Sequence, residues 1–474
     1  MPGFNLVRNS RVFFTTNVAD ATGVVAQGAL TSAGTQELAI MNGFSFSQST
    51  NSQTITVNEA GSTPTRGQRA FNSALNPVEF SFSTYIRPRG ADATIDMDEK
   101  VLWNSLLSDG SVNLVPSGVS QANSFSVSAL TISRTGSTNV ITFTWASIDI
   151  STVPKFTTAD IGTKVNVGGI INNSGLGFNG SGTIVSITGT PTTCTGMVVA
   201  MDIAPVGTGN PSTTTGTVYF SKSSAALRNP ASSNEPAHVA INVGLSNKNQ
   251  LQSFGLIVII DQSTYIIDNC ALSDADIDFG LDGIANIKWS GKGASLRTLS
   301  TAGGTAGTFS GSLIGTYTPA AGPAISAGNF ITRKLSTASL SSTFRGLGTG
   351  AKAYNVALTG GTVKISNNIN FVTPESLGVV NVPIGYYTGT RAISGNITAY
   401  LKTGASNTTA ALLSDLLAAT PETRYYLELQ MGGINNSVKV ELEFPAVTLH
   451  IPTIEVQDVV STNISFVAQG ACLI

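Results

Sequence analysis

The sequence predicts a mainly β protein built from two tandem domains of one fold, each with a flanking helix, and a small all-β domain inserted in the first. Three observations carry this expectation. The run Val78-Glu79-Phe80-Ser81-Phe82-Ser83-Thr84-Tyr85-Ile86-Arg87 returns in kind as Arg391-Ala392-Ile393-Ser394-Gly395-Asn396-Ile397-Thr398-Ala399-Tyr400-Leu401-Lys402. Both alternate apolar and polar residues, and both close on Tyr, an aliphatic residue and a base. A short distance on, each is followed by a helix-like segment of the same shape, residues 101–107 and 411–417. The remainder consists of short alternating runs cut by Gly-rich turns. A strand and then a helix, twice in the same order, mark one unit duplicated in tandem.

Each copy can be followed in order. The first opens on Asn5-Leu6-Val7-Arg8-Asn9, the second on Asn329-Phe330-Ile331-Thr332-Arg333. A short strand comes next, Thr54-Ile55-Thr56-Val57 in one copy and Thr362-Val363-Lys364-Ile365 in the other, before a Pro-containing loop. In the repeated strand, period two places Phe80, Phe82, Thr84 and Ile86 on one face and Glu79, Ser81, Ser83 and Tyr85 on the other. Asp96 and Glu99 stand at capping-box spacing before the first helix. Leu102 and Leu106, or Leu412 and Leu416, lie one turn apart and should pack on a sheet. A hairpin follows: 256–260 with 265–267 around Asp261-Gln262-Ser263, and 425–431 with 438–442 around Gly432-Gly433. The last strands are placed at 282–287 and 458–464.

Between helix and hairpin the first copy carries an extra stretch rich in Thr, Ser and Gly. Alternating runs such as Val140-Ile141-Thr142-Phe143-Thr144-Trp145 and Thr183-Ile184-Val185-Ser186-Ile187 point to a separate β domain entering through a surface loop. The expected organisation is therefore 1–116 and 231–299 for the first domain, 117–230 for the insert, 300–327 for a Gly/Ala/Thr linker, and 328–474 for the second domain.

Composition narrows the function classes. Only 11% of the 474 residues are charged, against about 25% in ordinary soluble domains. A subunit enclosed by its neighbours needs less charge for solubility than a free monomer does. A net charge of −2 argues against an electrostatic nucleic-acid binder, which needs clustered Lys and Arg. Met1-Pro2-Gly3-Phe4 leads to Arg8 and Arg11 without the apolar run of a secretory signal. The most apolar stretch, 256–260, is too short to span a membrane. Cys194, Cys270 and Cys472 form neither a disulfide framework nor a zinc pattern.

No catalytic residue, cofactor or metal site is expected. The two histidines, His238 and His450, lack a positioned partner in the sequence, and no nucleophile-elbow, zincin or phosphate-loop motif occurs. Asp274-Ala275-Asp276-Ile277-Asp278 is like the opening of a calcium loop, but Phe279 stands where Gly is needed and Ala285 where a bidentate Glu is needed. Its alternation instead sets three carboxylates on one strand face, with Ala275, Ile277 and Phe279 opposite. In the loop 58–72, Arg66, Arg69 and Phe71 suit a subunit contact, because Arg pairs bidentately with carboxylates at interfaces.

Residues 54–72, running on through Asn76-Pro77 and the repeated strand to Pro88, resemble the tail tube proteins of long-tailed bacteriophages. The run Thr359-Gly360-Gly361-Thr362-Val363-Lys364-Ile365, with Asn367-Asn368 and Thr373-Pro374, is similar to the duplicated, trimer-forming kind of the siphophages. Trp289-Ser290-Gly291-Lys292-Gly293 and Ile451-Pro452-Thr453-Ile454-Glu455 fit the same family. The likeness covers both repeats and not the insert. It implies that each domain is a β-sandwich with a flanking helix that gives four strands to an inner barrel. Three chains would then close a pseudo-sixfold ring of about 24 strands, on the order of 45–50 Å across, and rings would stack into a tube. The implied partners are other copies of the chain, the tape-measure protein, the tail terminator and the distal tail or baseplate proteins. Double-stranded DNA would pass through without specific binding, and no membrane is involved. The implied location is the virion tail, assembled in the host cytoplasm.

In that frame Glu79, Ser81, Ser83, Asp274, Asp276 and Asp278 are expected to line the lumen, where carboxylates repel phosphate. Arg66, Arg69 and Phe71 are expected to join subunits. Two rival readings exist. One is a secreted or surface-layer β-rich adhesin. The other is a carbohydrate-binding or hydrolysing tail module in the insert, using Trp145, Asp149 and Asp160.

Overall fold

The structure, a computed structural model, describes residues 10–19, 23–26, 29, 34–55, 69–89, 96–107, 112–115, 124–127, 130–134, 139–149, 158–162, 164–168, 180–190, 193–201, 218–221, 238–243, 251–260, 263–280, 282–299, 330–341, 352–377, 380–404, 408–418, 425–432, 439–451, 453–455 and 460–468. It is mainly β, with helices α1 (Lys100–Leu107) and α2 (Thr409–Ala418).

The duplication is visible strand for strand. In the first repeat Ser10–Thr15 pairs with Thr35–Leu38 and with Phe254–Ile260, which pairs with the long strand Ser263–Asp278. From there the order runs through Asn286–Gly293 and Val78–Tyr85 to Ser45–Ser47. In the second repeat Thr337–Ser341 pairs with Ala353–Val356 and with Tyr425–Gly432, which pairs with Lys439–Leu449. The order then runs through Ser461–Ala468 and Ala392–Tyr400 to Leu358–Ser366. Every pairing in both series is antiparallel.

The long strand Ser263–Asp278 turns from one sheet into the other. Its residues 264–268 pair with Ser295–Leu299, whereas 271–277 pair with Asn286–Gly293. The corner is Asn269, a non-glycine residue with φ of 48°, a conformation Asn tolerates better than most residues. Gly23, also left-handed, leaves the space: a Cβ there would lie 2.5 Å from the Asn269 side chain. Beside the corner, the buried Asp268 carboxylate accepts from the Val25 N–H at 2.8 Å and from the Arg297 guanidinium, and so ties the N-terminal segment down.

Each helix lies against its repeat. The α1 side chains of Leu102, Trp103, Leu106 and Leu107 are fully buried, and Trp103 meets Trp289 edge to face at 5.2 Å. The expected capping role of Asp96 is not what the fold uses. Asp96 lies in a two-residue strand paired with Pro88–Arg89 and is held by Arg89 at 2.8 Å. The first turn is instead closed by the Glu99 carbonyl, which accepts from the Leu102 and Trp103 N–H groups. At α2 the Thr408 hydroxyl caps the Ala411 N–H.

One hydrophobic core runs through both repeats, from Val12, Phe80 and Trp289 to Val363, Leu427 and Phe466. A separate seven-stranded sheet, spanning Ser124–Val127 to Val218–Ser221, has its own core of Leu130, Phe143, Trp145, Val199 and Phe220. Its flanking strands, Val112–Val115 and His238–Asn242, pair with each other, and the latter runs parallel to Lys439–Leu449.

Two short segments equated in the sequence are not equivalent. Thr54 and Ile55 belong to a hairpin, Thr50–Ile55 with Arg69–Leu75. Thr362-Val363-Lys364-Ile365 belongs to the strand beside Ala392–Tyr400, whose counterpart in the first repeat is Ser45–Ser47. The hairpin has its own counterpart in Ile369–Val372 with Gly385–Thr388. The strand expected at 282–287 begins at Asn286 rather than Asp282, because the chain bends at Gly283, with φ of 98°, and a further strand, Ser295–Leu299, follows it.

Candidate assembly surface

The two repeats share a wall. The Ser263–Asp278 strand of the first pairs with Leu358–Ser366 of the second, with Asp274 opposite Ser366, Asp276 opposite Lys364 and Asp278 opposite Thr362. The wall therefore runs Ser45–Ser47, Val78–Tyr85, Asn286–Gly293, Ser263–Asp278, then Leu358–Ser366, Ala392–Tyr400, Ser461–Ala468 and the run from 447 to Thr453–Glu455. Each repeat supplies four strands.

Alternation gives this wall an apolar and a polar side. Phe80, Phe82, Ala275, Ile277, Ile287, Trp289, Val363, Ile365, Ile393 and Ile464 are buried on one. Glu79, Ser81, Ser83, Asp274, Asp276 and Asp278 share the other and are exposed or half-buried. All six residues expected from the sequence to line a passage thus fall on one face.

The sequence reading missed what stands between them. Asp276 has Lys364 opposite on one side and Lys288 opposite on the other. Lys292 lies 3.9 Å from Glu79, Asp278 is held by Arg333 at 2.8 Å, and Asp274 accepts from the Ser290 hydroxyl at 3.3 Å. The face alternates in sign instead of being acidic. The lysines could have been found by asking which residues oppose the aspartates, but opposition depends on register, which a single strand's pattern does not contain.

The seam is locked from the side. The Arg391 guanidinium donates to the Leu106 and Leu107 carbonyls at 3.0 and 3.1 Å and to the Asn367 side chain at 2.7 Å. The Asn367 amide donates to the Leu106 and Leu272 carbonyls. Residues of the second repeat thus cap the C-terminus of the first repeat's helix, where carbonyls lack intrahelical partners and a cation is favoured. Burial pulls Arg391 down to about 10.

Two hairpin arms, Thr50–Ile55 with Arg69–Leu75 and Ile369–Val372 with Gly385–Thr388, form two-stranded sheets separate from the wall. They touch through backbone bonds from Leu75 N–H to the Asn381 carbonyl and from Asn381 N–H to the Ser73 carbonyl. Phe71 is exposed on the first arm; Val372, Leu377, Val380, Val382, Ile384 and Tyr387 are exposed on the second. Such an apolar patch marks an interaction surface. Arg66 and the Arg69 side chain lie outside the described residues, so of the expected contact residues only Phe71 is placed.

The insert offers no sugar platform at Trp145. That ring is 5% exposed and packs on Phe220. Asp160 sits in a 3-10 turn, and the Asp149 side chain lies outside the described residues. Among the described residues no helix is long and apolar enough to cross a membrane.

A wall built of two four-stranded halves, with no further strand at either end among the described residues and with apolar arms beside it, defines a β-structural subunit suited to self-assembly. No family model matches the chain. It is similar to the tail tube protein pb6 of Escherichia phage T5, with 24% identity over 472 residues that cover 98% of this chain and 72% of that protein.

Proposed function

We propose that the protein is the major tail tube subunit of a phage virion, three copies closing a pseudo-sixfold ring and rings stacking into a tube that conducts DNA. The observation that carries this reading is the wall. Its two halves have the same strand order and are already joined edge to edge within one chain. A head-to-tail contact of this kind closes a ring when its rotation permits. Three copies give about 24 strands and a barrel on the order of 45–50 Å across, wide enough for a DNA duplex.

The role is structural, not catalytic. The polar face looks inward, and its balanced charge suits passage of DNA, since gripping phosphate takes clustered cations. The arms, with Phe71 on one and Leu377 and Ile384 on the other, join successive rings. The insert, 117–230, stands on the outer surface; its separate core supports this. In the virion tail the tube meets the tape-measure protein inside and the terminator and distal tail proteins at its ends.

Negative-stain imaging and native mass measurement of the purified protein test the reading. Rings or tubes with three chains per ring are expected. A ring of six full chains, or a protein that stays monomeric at all concentrations, overturns it.

A further inference from the structure

We propose that copies join by repeating the seam found inside the chain, so that in the ring Ile451 of one copy lies opposite Ser49 of the next, Thr453 opposite Ser47, Ile454 opposite Phe46 and Glu455 opposite Ser45. The proposal rests on the ring reading above and adds its register.

The register follows from three strand-by-strand equivalences. Ser81 faces Ser45 in the first repeat, and Asn396 faces Thr362 in the second. Tyr85 and Tyr400 close the repeated strand, which makes Ser81 equivalent to Asn396 and therefore Ser45 equivalent to Thr362. Asn286 faces Tyr85, and Ser461 faces Tyr400, so these two are equivalent as well. From that pair, Leu272 opposite Gly291 matches Leu449 opposite Phe466, and Asp276 opposite Lys288 matches Thr453 opposite Asn463. Between those anchors both strands carry one residue more than their partner, and in the first repeat the extra residue is a bulge between Leu272 and Asp274. Inside the chain, Asp274 and Asp278 face Ser366 and Thr362. Their equivalents, Ile451 and Glu455, have no strand beyond them among the described residues, and neither does the outer edge of Ser45–Ser47.

The second helix gives an independent indication of what covers this end. In α1, Leu106 and Leu107 are 0% exposed, and Asn367 and Arg391 of the following repeat bond the carbonyls of this last turn. Their α2 counterparts are Leu416, half-buried, and Leu417, 64% exposed. Ile451, at the free edge of the wall among the described residues, is 67% exposed. Inside the chain the equivalent helix end is covered by the repeat that follows it, and for α2 the repeat that follows is the first repeat of a second copy.

The copied seam is not identical in chemistry. Arg391 and Asn367 are replaced at the equivalent positions by Asn76 and Thr50, and the Asp276–Lys364 pair by Thr453 and Ser47. Joints between copies thus lack the guanidinium clamp and the charge pair, and the ring alternates locked joints with neutral, more easily parted ones.

The test is disulfide trapping. Directly opposed antiparallel residues have Cα atoms about 4.5–5.5 Å apart, within reach of a disulfide. Oxidised I451C/S49C protein should give linked dimers and trimers on a denaturing gel, and each single variant only monomer. I451C/S45C is four residues out of register, about 13 Å along the strand, and should stay monomeric. Rings seen by microscopy with the off-register pair linked, or with neither pair linked, overturn the register while leaving the ring reading intact; absence of rings in the parent protein overturns both. Should the cysteine variants fold poorly, L417D serves, since it alters an exposed side chain. It should keep the melting temperature of the monomer and lose ring formation, and rings formed by L417D would refute the covered helix end.

Discussion

Asp276 stands directly opposite Lys364 across the seam that joins the two repeats, with Lys288 opposite its other side. The pair lies where two separately encoded sheets become one. Opposite charges facing each other across strands favour this register over its slipped neighbours, and like charges would penalise it. The position is half-exposed, so the effect is one of specificity more than of strength.

Asp276→Lys would set three lysines side by side. It should lower stability by about 1 kcal/mol, read from urea unfolding at low salt, and the loss should shrink at high salt. The exchange D276K/K364D should recover part of it. An exchanged variant no more stable than D276K alone would show that the pairing contributes nothing.

Arg391 is a stronger determinant of the seam. Arg391→Ala leaves the Leu106 and Leu107 carbonyls and the Asn367 side chain without their charged donor. Charge-assisted bonds of this kind contribute roughly 1.5–3 kcal/mol, and a loss of that order is expected in thermal or chemical unfolding. Hydrogen exchange should rise first at the C-terminal turn of α1; unchanged exchange there would contradict the capping role.

Much of this seam was legible in the sequence, and the illegible part has a physical reason. The Tyr85 and Tyr400 strands announce the duplication because alternation is written residue by residue. So does the exposed face of Asp274, Asp276 and Asp278. Their partners Lys288 and Lys364 are far away in sequence, and only register brings them opposite. Ser45–Ser47 went unnoticed because three residues hold too little periodicity to separate a wall strand from a loop. Thr54–Ile55, a more β-like segment, took its place in the sequence reading but forms an arm. Arg391 and Asn367 reach across from another repeat to cap α1, and no pattern local to that helix points to them.

Glu99 sets a pH dependence. It is 2% exposed, and burial raises its carboxyl from the ordinary 4.5 to about 8, although Arg87 lies 3.9 Å away. The folded state therefore holds a proton that the unfolded chain releases. The contribution is fully present below about pH 4.5 and is lost as pH rises through about 8. Glu99→Gln keeps the shape and removes the titration. Its stability relative to the parent should improve between pH 5 and pH 9 in parallel denaturant titrations. A constant difference across that range would mean the carboxyl is not buried and protonated as described.

The insert can be removed as a test of what the tube wall requires. Its core shares no residue with the core of the repeats, and the second repeat passes from α2 to Tyr425–Gly432 without any counterpart. The paired strands Val112–Val115 and His238–Asn242 flank it and lie outside 117–230, so a short Gly/Ser link can join them without disturbing their pairing or the parallel contact with Lys439–Leu449. Separately folded units joined by a narrow connection lose little stability when parted. The shortened chain should form rings of the parent's bore with a smooth exterior, measured by image averaging of negatively stained tubes, and should unfold within about 1 kcal/mol of the parent. The parent's unfolding should in turn show a second transition from the seven-stranded sheet that the shortened chain lacks. A shortened protein that folds but makes no rings would place the insert in the wall. A wider channel in its tubes would place the insert inside the bore.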